Sequence, residues 1–285
     1  MFDGSRRWAR LRLGQSGSVS WERLEPTMKA TAITRPVSMS IVKCELTHLA
    51  REPIDYSVAL AQHADYEAAL IRLGCEIERV PVAHDKPDAV FVEDVAVVLD
   101  EVAVMTRPGA VSRRDEGHEV EAVLARHRNL VRIAEPGTLD GGDVLHVGKT
   151  LYVGRSRRTN AEGIAQLRAL VSDLGYEVNA IDVRGCLHLK SAVTAVGENT
   201  LLGNSGWVDR RAFPGRDWIE VDPREPFAGN ALFVNGGVIY ASAFTHTAEL
   251  LRRHLEKNHA PLELVDASEL AKAEGGVTCC SLILE

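Results

Sequence analysis

The sequence predicts one closed α/β domain over residues 30–285, built from a repeated unit of hairpin, helix and strand. Three observations carry this. A short β-branched run, a tight polar or glycine turn and a second short run recur from positions 94, 143, 192 and 230, and the first three starts are evenly spaced by 49 residues. Amphipathic patterns with helical spacing lie between these hairpins, and several lead into a further extended run. Finally, Thr278-CCSLIL near the C-terminus reads as a strand that pairs with Thr31-AITRPVSMS, which would close the array and remove its last open edge.

Taken in chain order, residues 1–29 differ from the rest. The stretch Arg6-Arg7-Trp8-Ala9-Arg10 is basic and Gln15 to Ser20 is small and polar. No apolar segment makes this a secretory signal, and a poorly ordered extension without a catalytic role is expected, with Met28 and Met39 as alternative starts. Tyr56 to Leu73 reads as a helix with Val58, Ala61, Ala64, Ala68 and Ile71 on its inner face. Val120, Val123 and Leu124 mark a second helix. Ile164, Leu167, Leu170 and Val171 mark a third, and Ala248, Leu250, Leu251 and Leu255 a fourth. Cys75-EIERVPV and Glu177-VNAIDV are the strands that follow two of them.

Composition narrows the function. The chain has 285 residues, 45% hydrophobic and 26% charged, and its 33 Lys and Arg against 40 Asp and Glu give a formal net charge of −7. Such a body has no general attraction for nucleic acid or anionic lipid, and no run approaches the length of a membrane helix. Five Cys are too few and too odd for a disulfide framework, so reduced thiols in a cytoplasmic protein are expected. No phosphate-cradling glycine loop and no metal-binding spacing is present, so neither a nucleotide cofactor nor a metal is expected.

The chemistry-bearing residues lie in short runs. Cys279 and Cys280 are read as adjacent on the last strand, where alternation lets one face a pocket while the other packs inward. A Cys pair in a strand is ordinarily buried. Four other runs alter that weighing: Phe91-Val92-Glu93-Asp94, then Thr106-Arg107-Pro108-Gly109 with Ser112-Arg113-Arg114, then Leu139-Asp140-Gly141-Gly142-Asp143 with Arg157-Arg158-Thr159-Asn160, and Leu187-His188-Leu189-Lys190-Ser191. Each sits at the edge of a hairpin, so in a closed ring all would face one central pore. Asp143 reads as a turn cap, and only one of Arg113 and Arg114 is expected to point inward.

These runs, in this order, resemble the dimethylarginine dimethylaminohydrolases (dimethylargininases) of the guanidine-modifying pentein superfamily, from about Ala30 to the C-terminus. The resemblance implies a five-bladed α/β propeller of ββαβ units with pseudo-fivefold symmetry. It implies hydrolysis of Nω-methylated L-arginine to citrulline and an amine through a covalent Cys thiouronium, without metal or organic cofactor. By motif, Cys279 would be the nucleophile, His188 the general acid and base, and Asp140 the group that orients His188 or the guanidinium. Glu93 and Asp94 would bind the guanidinium, Arg113 and Arg158 the substrate carboxylate, and Asp88 the α-amino group. Leu46, in the lid segment Glu45-Leu46-Thr47-His48, and Ala273 would add contacts. Asp140 is Glu in some relatives, one methylene longer. An arginine deiminase-like hydrolase or an amidinotransferase acting on arginine is the alternative, and a non-catalytic arginine sensor a third reading. The partner is a small molecule, with a homodimer open.

Overall fold

The computed structural model describes Arg10–Leu13, Val19–Glu22 and residues 30–285. The expectation of a poorly ordered extension therefore lies outside the described residues, apart from two short strands, β1 (Arg10–Leu13) and β2 (Val19–Glu22), which pair antiparallel. From residue 30 onward the structure is the five-bladed α/β propeller that the resemblance implies. Five three-stranded sheets are described, each with its first two strands antiparallel and its third parallel to the middle one.

The first blade contains β3 (Thr31–Thr34), α1 (Tyr56–Arg72) and β4 (Glu76–Arg79). The second follows as β5 (Ala96–Val98), β6 (Val102–Met105), α2 (His118–Leu124) and β7 (Asn129–Arg132). The third is β8 (Val144–Val147), β9 (Thr150–Arg155), α3 (Ala161–Val171) and β10 (Glu177–Asp182). In the fourth, the one-turn helix α4 (Leu189–Ala192) precedes β11 (Val193–Ala195), β12 (Thr200–Gly203) and β13 (Asp217–Glu220). The fifth is β14 (Ala231–Val234), β15 (Gly237–Ala241), α5 (Thr245–Lys257) and β16 (Leu262–Val265). After the short helix α6 (Ser268–Ala271), β17 (Ser281–Leu284) pairs antiparallel with β3, Leu282 opposite Ile33, and closes the first blade.

The local sequence explains these elements. In the fifth blade the hairpin turns on Asn235 and Gly236, both at positive φ (50° and 75°), the geometry of a type I′ turn whose twist matches the strands. Helix α1 starts where Asp55 accepts hydrogen bonds from the Ser57 and Val58 N–H groups, and α3 starts where Asn160 accepts one from Gly163. Strand residues such as Leu151 and Val153 of β9 pack on Leu167 and Val171 of α3, and each blade has a comparable buried layer.

The inner face of α1 differs from the predicted one. Val58, Ala61, Ala64 and Ile71 are exposed, while Ala59, Gln62, His63, Tyr66, Glu67, Ala69 and Leu70 are buried. Two of the buried polar members are fully engaged: Glu67 accepts from Thr34 Oγ1 at 2.7 Å and pairs with Arg79, and Gln62 bonds Ser268 and the Glu269 N–H, whereas His63 Nε2 has no hydrogen-bond partner. In α5, Ala248, Leu251 and Leu255 are buried as expected but Leu250 is exposed. No helix among the described residues is long and apolar enough to cross a membrane.

Candidate active site

The segments that lead into inner strands β5, β8, β11 and β17 are all short helical turns: Val92–Val95, Gly141–Asp143, Leu189–Ala192 and Thr278–Cys280. They meet at one end of the ring, so the runs found in the sequence do converge. A cavity of about 310 Å³ is lined there by Glu93, Gly142, His188, Lys190 and Cys279. A larger cavity of about 740 Å³ lies among the inner strands, and Glu93 and Lys190 also line that one.

The cysteine pair departs from expectation. Cys279 and Cys280 lie on a helical turn, and the strand begins only at Ser281. The turn is fixed by Thr278, whose hydroxyl donates to Glu93 Oε2 at 2.8 Å and whose N–H donates to Asn230 Oδ1 at 3.2 Å. Its result is the one anticipated from alternation. Cys280 is buried in the apolar layer, while Cys279 reaches the cavity and accepts the Gly276 N–H on Sγ at 3.3 Å.

His188 is buried between two carboxylates. Its Nε2 stands 3.0 Å from Asp140 Oδ2 and its Nδ1 3.8 Å from Asp94 Oδ1. Asp140 thus contacts the imidazole, one of the two partners expected for it, and its other oxygen accepts the Gly109 N–H at 2.8 Å. Gly142 makes the close packing possible. A Cβ there would lie 2.6 Å from His188 Nδ1 and 2.7 Å from Asp94 Oδ1, and its N–H donates to that same oxygen at 3.0 Å.

The electrostatics follow from burial against pairing. Burial alone would discharge His188, but Asp94, then Asp140 and Asp143, outweigh it and raise its pKa to about 9. Burial likewise opposes charge on Asp94, but His188 and Arg113 overcome it and hold its pKa at about 2. Burial pushes Glu93 up despite Lys190 Nζ at 2.5 Å, and pushes Asp88 up as well. Burial, with Glu93 and Asp94 adding to it, raises the Cys279 thiol to about 12.

Arg158 and Arg113 differ. Arg158 is buried, with Nη1 3.5 Å from Asp140 Oδ2 and without a hydrogen-bond partner, and Nη2 donates to Thr47 Oγ1 at 3.0 Å. Arg113 donates to Asp94 Oδ2 at 2.5 Å, to Glu116 Oε2 and to the Asp88 and Phe91 carbonyls, so in this structure it holds acidic groups together. Arg114 is only half-buried, as expected. Asp88 accepts the Glu45 N–H at 3.1 and 3.2 Å, which ties the lid segment to the site. Leu46 packs on the same apolar cluster that buries Ala273.

Asp143 is not a local turn cap. It is fully buried and accepts from Ser156 Oγ at 2.6 Å, Thr159 Oγ1 at 2.7 Å and the Leu189 N–H at 2.9 Å, joining three loops. Sequence reading assigned nothing to Lys190, Thr278, Asn230, Glu116, Glu45 or Glu274. Lys190 and Thr278 stand inside the quoted LHLKS and TCCS runs, Glu45 opens the quoted lid segment and Asn230 the fourth hairpin run, whereas Glu116 and Glu274 stand in none. The ligating atoms of Asp94, Asp140 and His188 lie within 4.8 Å of one another. The guanidinium groups of Arg113 and Arg158 already stand against those two carboxylates, so the cluster has its cations within the chain.

A family model described as N,N dimethylarginine dimethylhydrolase, eukaryotic, matches residues 47–283. The N(G),N(G)-dimethylarginine dimethylaminohydrolase of Streptomyces coelicolor is 44% identical over 254 residues, 89% of this chain and 96% of that protein. The Pseudomonas aeruginosa protein, solved as a cysteine-to-serine mutant complexed with citrulline, superposes with a TM-score of 0.84 at 33% identity over 90% of this chain and 100% of that one. A histidine-to-glycine form of a dimethylarginine dimethylaminohydrolase, solved as an adduct with S-methyl-L-thiocitrulline, gives 0.84 at 34% identity over the same shares. By its matched length and these identities, the chain belongs to the dimethylarginine dimethylaminohydrolase family.

Proposed function

We propose that this chain hydrolyses Nω-methylated L-arginine, as asymmetric dimethylarginine or monomethylarginine, to L-citrulline plus dimethylamine or methylamine, with Cys279 as covalent nucleophile. The observation that carries the reading is that Cys279, His188 and Glu93 line one cavity, with Asp94 and Asp140 flanking the His188 ring behind it, while a buried Arg158 nitrogen 3.5 Å from Asp140 lacks a hydrogen-bond partner. A guanidinium carbon is a weak electrophile because its charge is delocalised, so attack needs a thiolate and carboxylates that fix the plane.

Glu93 and Asp94 receive the guanidinium, which takes over Asp94 from Arg113. Arg158 and the released Arg113 then hold the substrate carboxylate, and Asp88 the α-amino group, beneath a lid that includes Leu46 and beside Ala273. The cation stabilises the Cys279 thiolate, and the thiol proton leaves to solvent. Sulfur bonds to the guanidinium carbon. His188, charged at neutral pH, gives its proton to the departing amine as the C–N bond breaks, leaving a thiouronium. Neutral His188 takes a proton from water as its oxygen attacks. The C–S bond then breaks, and the protonated urea returns its proton to sulfur.

Purified protein given asymmetric dimethylarginine should release citrulline, and Cys279→Ser should release none. Absence of citrulline from folded wild-type protein sinks this reading. Arginine as substrate separates the deiminase-like alternative: kcat/KM on arginine equal to or above that on the methylated substrates would favour it.

A further inference from the structure

Glu274 has no role in the chemistry above, yet its carboxylate is unusually employed. It accepts the backbone N–H groups of three successive lid residues: Thr47 at 3.1 and 3.0 Å, His48 at 2.5 Å and Leu49 at 2.7 Å. Consecutive peptide N–H groups that converge in this way form an anion-binding concavity, here filled by a side chain from the far end of the chain. Glu274 also sits at φ 60°, in the left-handed region that a residue with a branched-out side chain adopts only under constraint.

Both neighbourhoods of this contact belong to the site. On the lid side, Thr47 Oγ1 accepts from Arg158 and the Glu45 N–H donates to Asp88, the two groups assigned to the amino-acid end of the substrate. On the other side, Gly276 follows two residues later and donates its N–H to Cys279 Sγ. The segment 274–279 therefore ties the lid at one end and holds the nucleophile at the other.

We propose that Glu274 is the latch of the lid: its carboxylate holds residues 47–49 closed, and through them sets Arg158 and Asp88 for the substrate's carboxylate and amine. It acts as a positioning residue: although it lines the same cavity as Cys279, its carboxylate is committed to the N–H groups of residues 47–49. The inference deepens the reading of the site as a methylarginine hydrolase and rests on it for its kinetic consequence. It predicts that the latch acts mainly on substrate capture. Loss of charge-assisted hydrogen bonds to the lid raises KM by roughly 10- to 100-fold and leaves kcat within about threefold.

The test uses Glu274→Gly in the full chain, with Glu274→Asp beside it. Glycine removes the carboxylate but is at ease at positive φ, so thermal stability should hold or rise while the lid loosens. Amide hydrogen exchange at Thr47, His48 and Leu49 in the substrate-free protein should quicken at least about tenfold, with exchange in β9 and β15 unchanged. KM for dimethylarginine should rise as stated, and Glu274→Asp, which keeps the charge, should recover part of it. Unchanged exchange at 47–49 overturns the latch, as does a KM within twofold of wild type. A drop in Tm with faster exchange everywhere also overturns it, in favour of a merely structural contact. The exchange measurement needs no turnover. A wild type that releases no citrulline would therefore sink the assigned function, while exchange still decides the latch.

Discussion

If the cavity receives a guanidinium as proposed, the Cys279 thiol should titrate differently when one is bound, and the size of the difference can be worked out. In the empty site the Cys279 thiol is pushed up to about 12 by burial and by Glu93 and Asp94. A guanidinium about 4 Å from sulfur, at an effective dielectric of about 20, favours the thiolate by roughly 4 kcal/mol. That corresponds to about 3 pK units and brings the thiol to roughly 9. At neutral pH the thiolate fraction then rises about a thousandfold on binding. The assay is inactivation rate against pH, with iodoacetamide as neutral reagent and 2-chloroacetamidine as cationic one, followed by mass on the Cys279 peptide so that the other four cysteines do not confuse it. The iodoacetamide rate should climb through pH 10 without a plateau, while the amidine profile should break near 9. A plateau for iodoacetamide below pH 8 would refute the argument, because it would mean a thiolate already stabilised without a cation.

Asp140→Asn removes a carboxylate that raises the His188 pKa, so the alkaline limb of the rate profile, expected near 9 as the imidazolium loses its proton, should move to lower pH. kcat should fall by about a hundredfold or more, measured by citrulline release. Arg158→Lys keeps the charge but loses the planar fork, and should raise KM on the order of tenfold or more in the same assay with kcat less affected. Leu151→Ala opens a cavity under the third blade where Leu151 is fully buried; it should cost about 2–5 kcal/mol, read as a lower urea midpoint at unchanged m. Deletion of residues 1–27 should leave kcat/KM unchanged, and a large loss would give the extension a role that the assignment of catalysis to residues 30–285 does not allow.

The blades were readable because each inner hairpin is a short β-branched run broken by a turn with its own chemistry, as Asn235-Gly236 illustrates. Helix α1 shows where that reading fails. An apolar stripe through Val58 and Ile71 has the right period, but the buried face is set by Ala59, Tyr66 and Leu70 together with Gln62 and Glu67, whose polarity is satisfied across the fold. Periodicity of apolar residues does not register a polar group that finds a distant partner. The Cys279 turn was missed for a related reason. Nothing in TCCS announces that Thr278 will be held by Glu93 and Asn230, which lie 185 and 48 residues away. Glu274 and the lid meet across more than 220 residues, and nothing around Glu274 announces that contact. What the sequence revealed was the set of groups at the hairpin edges. What it withheld was their pairing, which decides that Asp140 serves His188 and that Asp143 serves three loops.

On the proposed mechanism, that pairing also gives a reason for sulfur rather than oxygen as the nucleophile. Six buried carboxylates, Asp88, Glu93, Asp94, Glu116, Asp140 and Asp143, face four permanent cations, Arg35, Arg113, Arg158 and Lys190. The surplus keeps His188 protonated and draws in a guanidinium, but it also opposes any anion at the nucleophile. A hydroxyl, whose intrinsic pKa lies far above that of a thiol, would stay protonated in such surroundings even with the substrate cation beside it. A thiol starts low enough for one bound guanidinium to bring it within reach of neutral pH. Acidity that captures the substrate and a nucleophile that tolerates acidity are therefore one requirement, and Cys279→Ser should retain binding of dimethylarginine while losing turnover.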